Sequence, residues 1–274
     1  MSHIYALVNQ KGGVGKTTTA VNLGAYLAAK GQRVLLIDID PQANATSSLG
    51  FDKNQISAST YNSLIDSTPL PHVIQLTKRV RLDLAPSSPQ LAGAEVELVE
   101  LPQRERRLKQ SLAAVQANYD YILIDCPPSL GLLTVNALTA AEGALVPVQC
   151  EYLALEGLSQ LMSTIQLARK ALNPGLVVRG LIMTMYDGRA KLAQQVVAEA
   201  RAHFGNRVFN VLIPRSVRLG EAPSYGEPIL SYAPSSSGGV AYEQLADELL
   251  SGDRDQAALR AVPGAPSPSA QMTT

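Results

Sequence analysis

Residues 9–19 read NQKGGVGKTTT, three glycines and two lysines set between an apolar run and three consecutive threonines. The run before them, IYALV (4–8), is continuously apolar, as a strand buried on both faces would be. The stretch after them, KTTTAVNLGAYLAAKG, places Ala20, Leu23 and Leu27 on one helical face and ends at Gly31, a residue suited to stopping a helix. A strand, a glycine-rich turn and a helix starting near Lys16 aim unpaired backbone N–H groups at one point, which is how a chain cradles phosphate. In that reading Gly12, Gly13, Val14, Gly15, Lys16, Thr17 and Thr18 surround the phosphates. Lys16 supplies a point charge and the Thr17 hydroxyl suits Mg²⁺. An ordinary phosphate loop would open with glycine at position 10, but Gln10 stands there and Lys11 is a second lysine five residues before the first.

The rest of the chain repeats the alternation. RVLLIDID (33–40), YILIDCP (121–127), GALVPVQ (143–149), VVRGLIMTM (177–185) and VFNVLIP (208–214) read as further buried strands, with helices over about 104–117, 155–172 and 190–203. The pattern predicts an α/β fold, a mostly parallel twisted sheet with helices on both faces. Residues 1–251 are expected to form a single domain. The remainder, 252–274, carries Pro263, Pro266 and Pro268 with few large apolar side chains and is expected to be a disordered tail.

Of 274 residues, 46% are hydrophobic and 17% charged, with 23 basic and 23 acidic side chains, so bulk charge does not equip the chain to coat a polyanion. Any such contact must come from a local patch. Cys126 and Cys150 have no zinc-ligand spacing, and His3, His72 and His203 are scattered. LVVRGLIMTM (176–185), the longest apolar segment, is interrupted by Arg179 and falls short of the ~18 residues of a membrane span. A cytoplasmic location is expected.

Two further segments carry carboxylates at strand ends. DIDPQ (38–42) puts Asp38 and Asp40 at the carboxyl end of the second strand, where ligands of open α/β sheets bind, and alternate residues share a side. A helix cap or an ion pair is the competing use of either aspartate. YILID ends in Asp125, a Walker B reading that would hold Mg²⁺ through water.

Together KGGVGKTTT, DIDPQ, YILIDCPPSLG, PVQCEYLALEGL and IPRSVRLGEAPSYGEPI resemble the ParA/Soj family of chromosome- and plasmid-partitioning ATPases over residues 3 to about 250. The resemblance implies a P-loop NTPase architecture with a deviant Walker A loop, binding ATP and Mg²⁺. Lys11 then corresponds to a signature lysine that reaches across an ATP-dependent homodimer to the partner's phosphates, in the manner of an arginine finger. Lys16 serves its own subunit. The resemblance also implies that Asp40 orients or activates the attacking water and that Asp38 lies in the metal shell with Thr17 and Asp125. Met185, Pro214 and Ser216 fall on the loops TMYDGR (184–189) and IPRSVR (213–218) expected beside the adenine. The family usually has asparagine where Ser216 stands, and a hydroxyl cannot make the paired contacts of an amide.

Arg189 and Arg218 match positions of DNA-binding arginines, with Arg215 a possible addition. Four phosphate contacts in a two-fold dimer predict a log affinity falling with log salt at a slope of about −3.6. The implied partners are nonspecific double-stranded DNA and a ParB-type centromere-binding protein, and the implied location is the nucleoid. RERRLK (104–109) reads as a solvated helix face. Two alternatives share the loop. A MinD-like membrane-cycling regulator would want a basic amphipathic C-terminal helix, where this chain has prolines. An iron–sulfur reductase of the nitrogenase iron-protein type would need two suitably placed cysteines, and Cys126 and Cys150 read as buried inert thiols.

Overall fold

The computed structural model describes residues 2–151 and 156–261. Its strands are β1 (His3–Leu7), β2 (Val34–Asp38), β3 (Gln75–Leu76), β4 (Leu82–Ala85), β5 (Tyr121–Asp125), β6 (Gly143–Gln149) and β7 (Val177–Thr184). Its helices are α1 (Lys16–Ala29), α2 (Asn44–Ser48), α3 (Thr60–Leu64), α4 (Leu91–Glu97), α5 (Arg107–Leu112), α6 (Leu132–Ala140), α7 (Glu156–Ala171), α8 (Lys191–Phe204), α9 (Val217–Glu221), α10 (Ile229–Tyr232) and α11 (Ser237–Ala261). The sheet has seven strands in the order β3-β4-β2-β5-β1-β6-β7, and only β3 runs antiparallel to its neighbour.

Alternate strand residues feed two separate cores, the reason the strands read as unbroken apolar runs. Ala6, Ile37, Ile124, Val146 and Met183 face one side, where Leu64, Leu108, Leu133, Leu161 and Val196 cover them. Leu7, Leu36, Leu123, Leu145 and Ile182 face the other, against Leu23 and Leu27 of α1 and Leu245 and Leu249 of α11. The interior strand β1 thus delivers the glycine-rich turn to the sheet's carboxyl edge, between β5 and β6.

Two expectations need correction. VFNVLIP does not form a continuous strand: it meets β7 at an isolated bridge, Leu181 with Val208, and through the Phe209 and Ile213 N–H groups, which donate to the Leu181 and Met183 carbonyls (3.0 and 2.9 Å). A second bridge, Tyr186 with Pro214, lies past the end of β7. The backbone N–H groups of Asn210 and Val211 donate instead to the Glu248 carboxylate on α11 (2.7 and 3.0 Å), and Pro214 has no N–H to give. The domain also does not end at 251. Helix α11 continues to Ala261, and Asp253, 2% exposed, accepts from Tyr5 Oη (2.8 Å), Tyr121 Oη (3.0 Å) and Arg179 Nε (2.8 Å). Long-range pairing with β1, β5 and β7 holds a segment whose local composition reads as tail. The remainder of that expected tail, 262–274, lies outside the described residues, as do residues 152–155.

Smaller differences concern length. Of the helix expected over 104–117 only Arg107–Leu112 is α-helical, and the short strands β3 and β4 were not anticipated. In RERRLK, Arg107 is not a solvated cation: its guanidinium caps the end of α3, donating to the carbonyls of Leu64 and of Ile65 (3.1 Å).

Candidate nucleotide site

Gly13 and Gly15 have φ of 74° and 88°, a left-handed backbone that side chains resist, so glycine is required where the loop turns into α1. Helix α1 starts without a side-chain cap and without an acidic residue in its first turn, leaving its first N–H groups and its positive dipole end for an anion.

The two lysines have opposite surroundings. Lys16 is 6% exposed and its Nζ lies 3.3 Å from the Lys11 carbonyl oxygen. Burial lowers its pKa, while the negative charges of Asp125 and Asp40 act the other way. The Lys11 side chain is 44% exposed and points away from that pocket, its Nζ 3.4 Å from Glu151 Oε2. One lysine is built into the loop and the other is held on the rim.

Asp38 and Asp125 are paired in register at the ends of β2 and β5 and are fully buried. Among the described residues no hydrogen bond of normal geometry reaches either Asp125 oxygen, although the Thr17 hydroxyl is nearby. Burial pushes the Asp125 pKa well up, the Asp38 charge adds to this, and the Thr17 hydroxyl and Lys16 oppose it. A buried carboxylate with open oxygens next to a second carboxylate and a helix-start hydroxyl is a donor set that fits a hard divalent cation. Asp38 is differently placed, because its oxygens are already engaged: Oδ1 accepts from the Asp40 N–H (3.1 Å), and Oδ2 accepts from the N–H and hydroxyl of Thr46 (both 2.8 Å). Asp40 turns one oxygen to the Gln42 N–H (2.9 Å), and its Oδ2 makes no hydrogen bond among the described residues.

Beside the loop lies a cavity of about 230 Å³ lined by Gly15, Thr18, Met185, Pro214 and Ser216, which brings together the residues expected around a base. Thr184, Leu219 and Tyr242 complete the wall and were not anticipated. Tyr242 comes from α11, 223 residues from the Thr19 hydroxyl it bonds at 3.0 Å, and nothing local in the sequence marks it. Met185 has φ of 51°, and the Tyr186–Pro214 bridge, with Arg215 N–H donating to the Tyr186 carbonyl (3.1 Å), ties the two loops together.

Those loops also carry the three arginines. Arg189 is 92% exposed and forks onto Asp187 through Nε (3.0 Å) and Nη2 (2.9 Å), which holds the Asp187 carboxyl down at about 2. Arg218 Nη1 donates to Glu221 (2.9 Å), which also accepts from the Tyr232 hydroxyl (2.9 Å). Arg215 lies 3.6 Å from Glu151, the carboxylate that also faces Lys11. Lys11 and these three arginines each have a carboxylate beside them. Cys126 and Cys150 are both buried in the core on the α6–α7 side, and burial raises both thiol pKa values.

The parallel sheet and the lysine-bearing glycine loop, with carboxylates at the neighbouring strand ends, define a P-loop nucleotide-binding protein with a deviant Walker A loop. A protein-family profile described as an AAA domain matches residues 2–178. The sporulation initiation inhibitor protein Soj of Bacillus subtilis is 55% identical over 249 residues, spanning 91% of this chain and 98% of its own. The chromosome partitioning protein ParA of Myxococcus xanthus is 50% identical over 262 residues, 96% and 93% of the two chains. The chain belongs to the ParA/Soj family of chromosome-partitioning ATPases. Among solved structures, cobyrinic acid a,c-diamide synthase from Mycobacterium smegmatis with bound ADP and magnesium matches with a TM-score of 0.83 at 37% identity, covering 93% of this chain and 97% of that one.

Proposed function

We propose that the chain is an ATP-driven DNA-segregation switch. ATP binding closes a face-to-face homodimer, the dimer holds double-stranded DNA without sequence preference on the nucleoid, and a ParB-type partner stimulates slow hydrolysis and release. The observation that carries this reading is the division between the lysines: Lys16 buried among Asp125 and Asp40, Lys11 exposed on the rim where a second subunit can be reached. Lys16 and the α1 N-terminus hold the phosphates of their own subunit, and Lys11 adds positive charge to those of the partner. Met185, Pro214 and Ser216 pack the base. Thr17 and Asp125 would hold Mg²⁺, with Asp38 behind them; the ion neutralises phosphate charge when bound. Asp40 orients water through its free oxygen.

The test is Asp40→Ala, followed for dimer state and DNA retention with ATP at two salt concentrations. The variant is expected to dimerise, to stay on DNA with a log–log salt slope of about −3.6 or steeper, and to hydrolyse about a hundredfold more slowly. Dimerisation without DNA retention would remove the DNA output, and anionic liposomes would be the next surface to offer.

The arginine forks add a second expectation. Removing the carboxylate beside Arg189 withdraws a charge that repels phosphate, so Asp187→Asn should bind DNA several-fold more tightly at low salt, the gain fading as ions screen it. Fluorescence anisotropy with a random-sequence duplex reads this. Equal affinities at low salt would remove Arg189 from the DNA contact.

A further inference from the structure

Behind the two catalytic-edge aspartates lies a ring of buried hydroxyls. Thr46 and Ser87 are both fully buried, one on α2 and the other on the loop after β4. The Thr46 hydroxyl donates to Asp38 Oδ2 (2.8 Å) and accepts from the Ser87 N–H (2.9 Å), so it uses both its proton and a lone pair. The Ser87 hydroxyl donates to the Asp40 carbonyl (2.7 Å), and the Asp40 N–H donates to Asp38 Oδ1 (3.1 Å), which closes the ring. Asp40 is therefore clamped on both sides of its Cα, its N–H by Asp38 and its carbonyl by Ser87. A third buried hydroxyl, Thr60 at the start of α3, donates to the Asp38 carbonyl (2.8 Å).

Burying hydroxyls in a core costs free energy unless each is bonded, and here the three hydroxyls donate to Asp38 and Asp40, with Asp38 in turn holding the Asp40 N–H. The surrounding backbone adds one bond to that residue, the Ala43 N–H donating to the Asp40 carbonyl (2.8 Å), but no regular element runs through it. β2 stops at Asp38, Ala43 has a left-handed φ of 52°, and α2 begins only at Asn44. The side chains thus supply the rigidity that secondary structure leaves out at this turn.

We infer that Thr46 and Ser87 are positioning residues for hydrolysis, holding the Asp40 carboxylate in the orientation that presents its free oxygen to water. The inference rests on the assignment of Asp40 proposed above. Positioning of this kind acts on the chemical step and leaves ground-state binding alone, since neither hydroxyl lies among the residues lining the loop or the cavity.

The experiment compares wild type, Thr46→Val, Thr46→Ser, Ser87→Ala and Asp40→Ala. It measures kcat, affinity for a non-hydrolysable ATP analogue, and the lifetime of the ATP dimer after dilution into excess unlabelled protein. Thr46→Val, which keeps shape and loses both hydrogen bonds of the hydroxyl, should lower kcat about tenfold, leave analogue affinity within about twofold, and lengthen the dimer lifetime as hydrolysis slows. Thr46→Ser should restore kcat. Ser87→Ala should act in the same direction and carries the test alone if Thr46→Val does not fold. A wild-type kcat and lifetime in both variants would overturn the inference. So would a lowered kcat with weakened analogue binding and a shortened lifetime, the pattern of general loosening. If Asp40→Ala hydrolyses like wild type, the assignment of Asp40 falls and the inference with it. If Asp40→Ala is inactive and the hydroxyl variants are normal, only the inference falls.

Discussion

Lys16→Ala is expected to lose about a hundredfold or more in ATP affinity as a monomer. Lys11→Ala is expected to keep monomer binding within a few-fold and to lose the ATP dimer, with hydrolysis down about a thousandfold. The difference follows from where the ammonium groups sit. Lys16 is buried beside Asp125 and Asp40 at the start of α1, and two charge-assisted hydrogen bonds to phosphate, at ~1.5–3 kcal/mol each, account for a loss of that size. Its removal also takes away the buried cation beside Asp40 and Asp125. Lys11 is on the rim, 3.4 Å from Glu151, and an exposed pair of that kind contributes only ~0–1 kcal/mol, so the lysine can exchange a carboxylate for a partner's phosphate at little cost. Titration with a fluorescent ATP analogue and sedimentation with ATP separate the two. Equal ATP-induced dimerisation of wild type and Lys11→Ala would refute the action across the interface.

The placement of both lysines on one glycine-rich turn was legible in the sequence because they belong to one continuous segment whose geometry is set locally by a strand, two left-handed glycines and a helix start. The positions of Asp38 and Asp125 at strand ends, with Asp40 just beyond, were legible for the same reason, because they close apolar runs that read as buried strands. Where a residue's role depends on contacts distant in the chain, local pattern says little. Tyr242 reaches the base cavity from α11, and Thr46 and Ser87 are ordinary hydroxyls in short polar segments until folding sets them 41 residues apart in sequence and 2.9 Å apart in space. VFNVLIP shows the converse. Its β-branched composition reads as strand, yet its pairing with β7 is broken between Phe209 and Ile213, where the Asn210 and Val211 N–H groups go to Glu248 on α11 instead. Composition measures a preference, and a competing partner from elsewhere decides whether it is met.

Asp253→Ala is expected to destabilise the fold by ~3–5 kcal/mol, a large share of the ~5–15 kcal/mol that holds a domain together. Alanine at 253 would leave the Arg179 guanidinium buried without its carboxylate partner, with Nη2 still donating to the Leu249 carbonyl at 3.3 Å. It would also strand the Tyr5 and Tyr121 hydroxyls, which both donate to the same carboxylate. Attraction in this ring must outweigh desolvation only while all of it is present, so Asp253→Ala/Arg179→Met, which removes the cation too, should recover much of the loss. Urea denaturation of the two single variants and the double measures the coupling, and additive losses below ~1 kcal/mol would show the ring to be inert. The effect should reach the nucleotide site, because α11 lies along α1 and Tyr242 bonds Thr19 one turn inside the phosphate-binding helix. ATP bound only by the folded chain adds RT ln(1 + [ATP]/Kd) to stability, ~2.7 kcal/mol at a hundredfold excess over Kd, so saturating ATP should offset much of the Asp253→Ala defect. A variant that ATP does not rescue, while it still binds ATP with wild-type affinity in native conditions, would mean that the ring stabilises only the far end of α11 and that the two halves of the helix unfold separately.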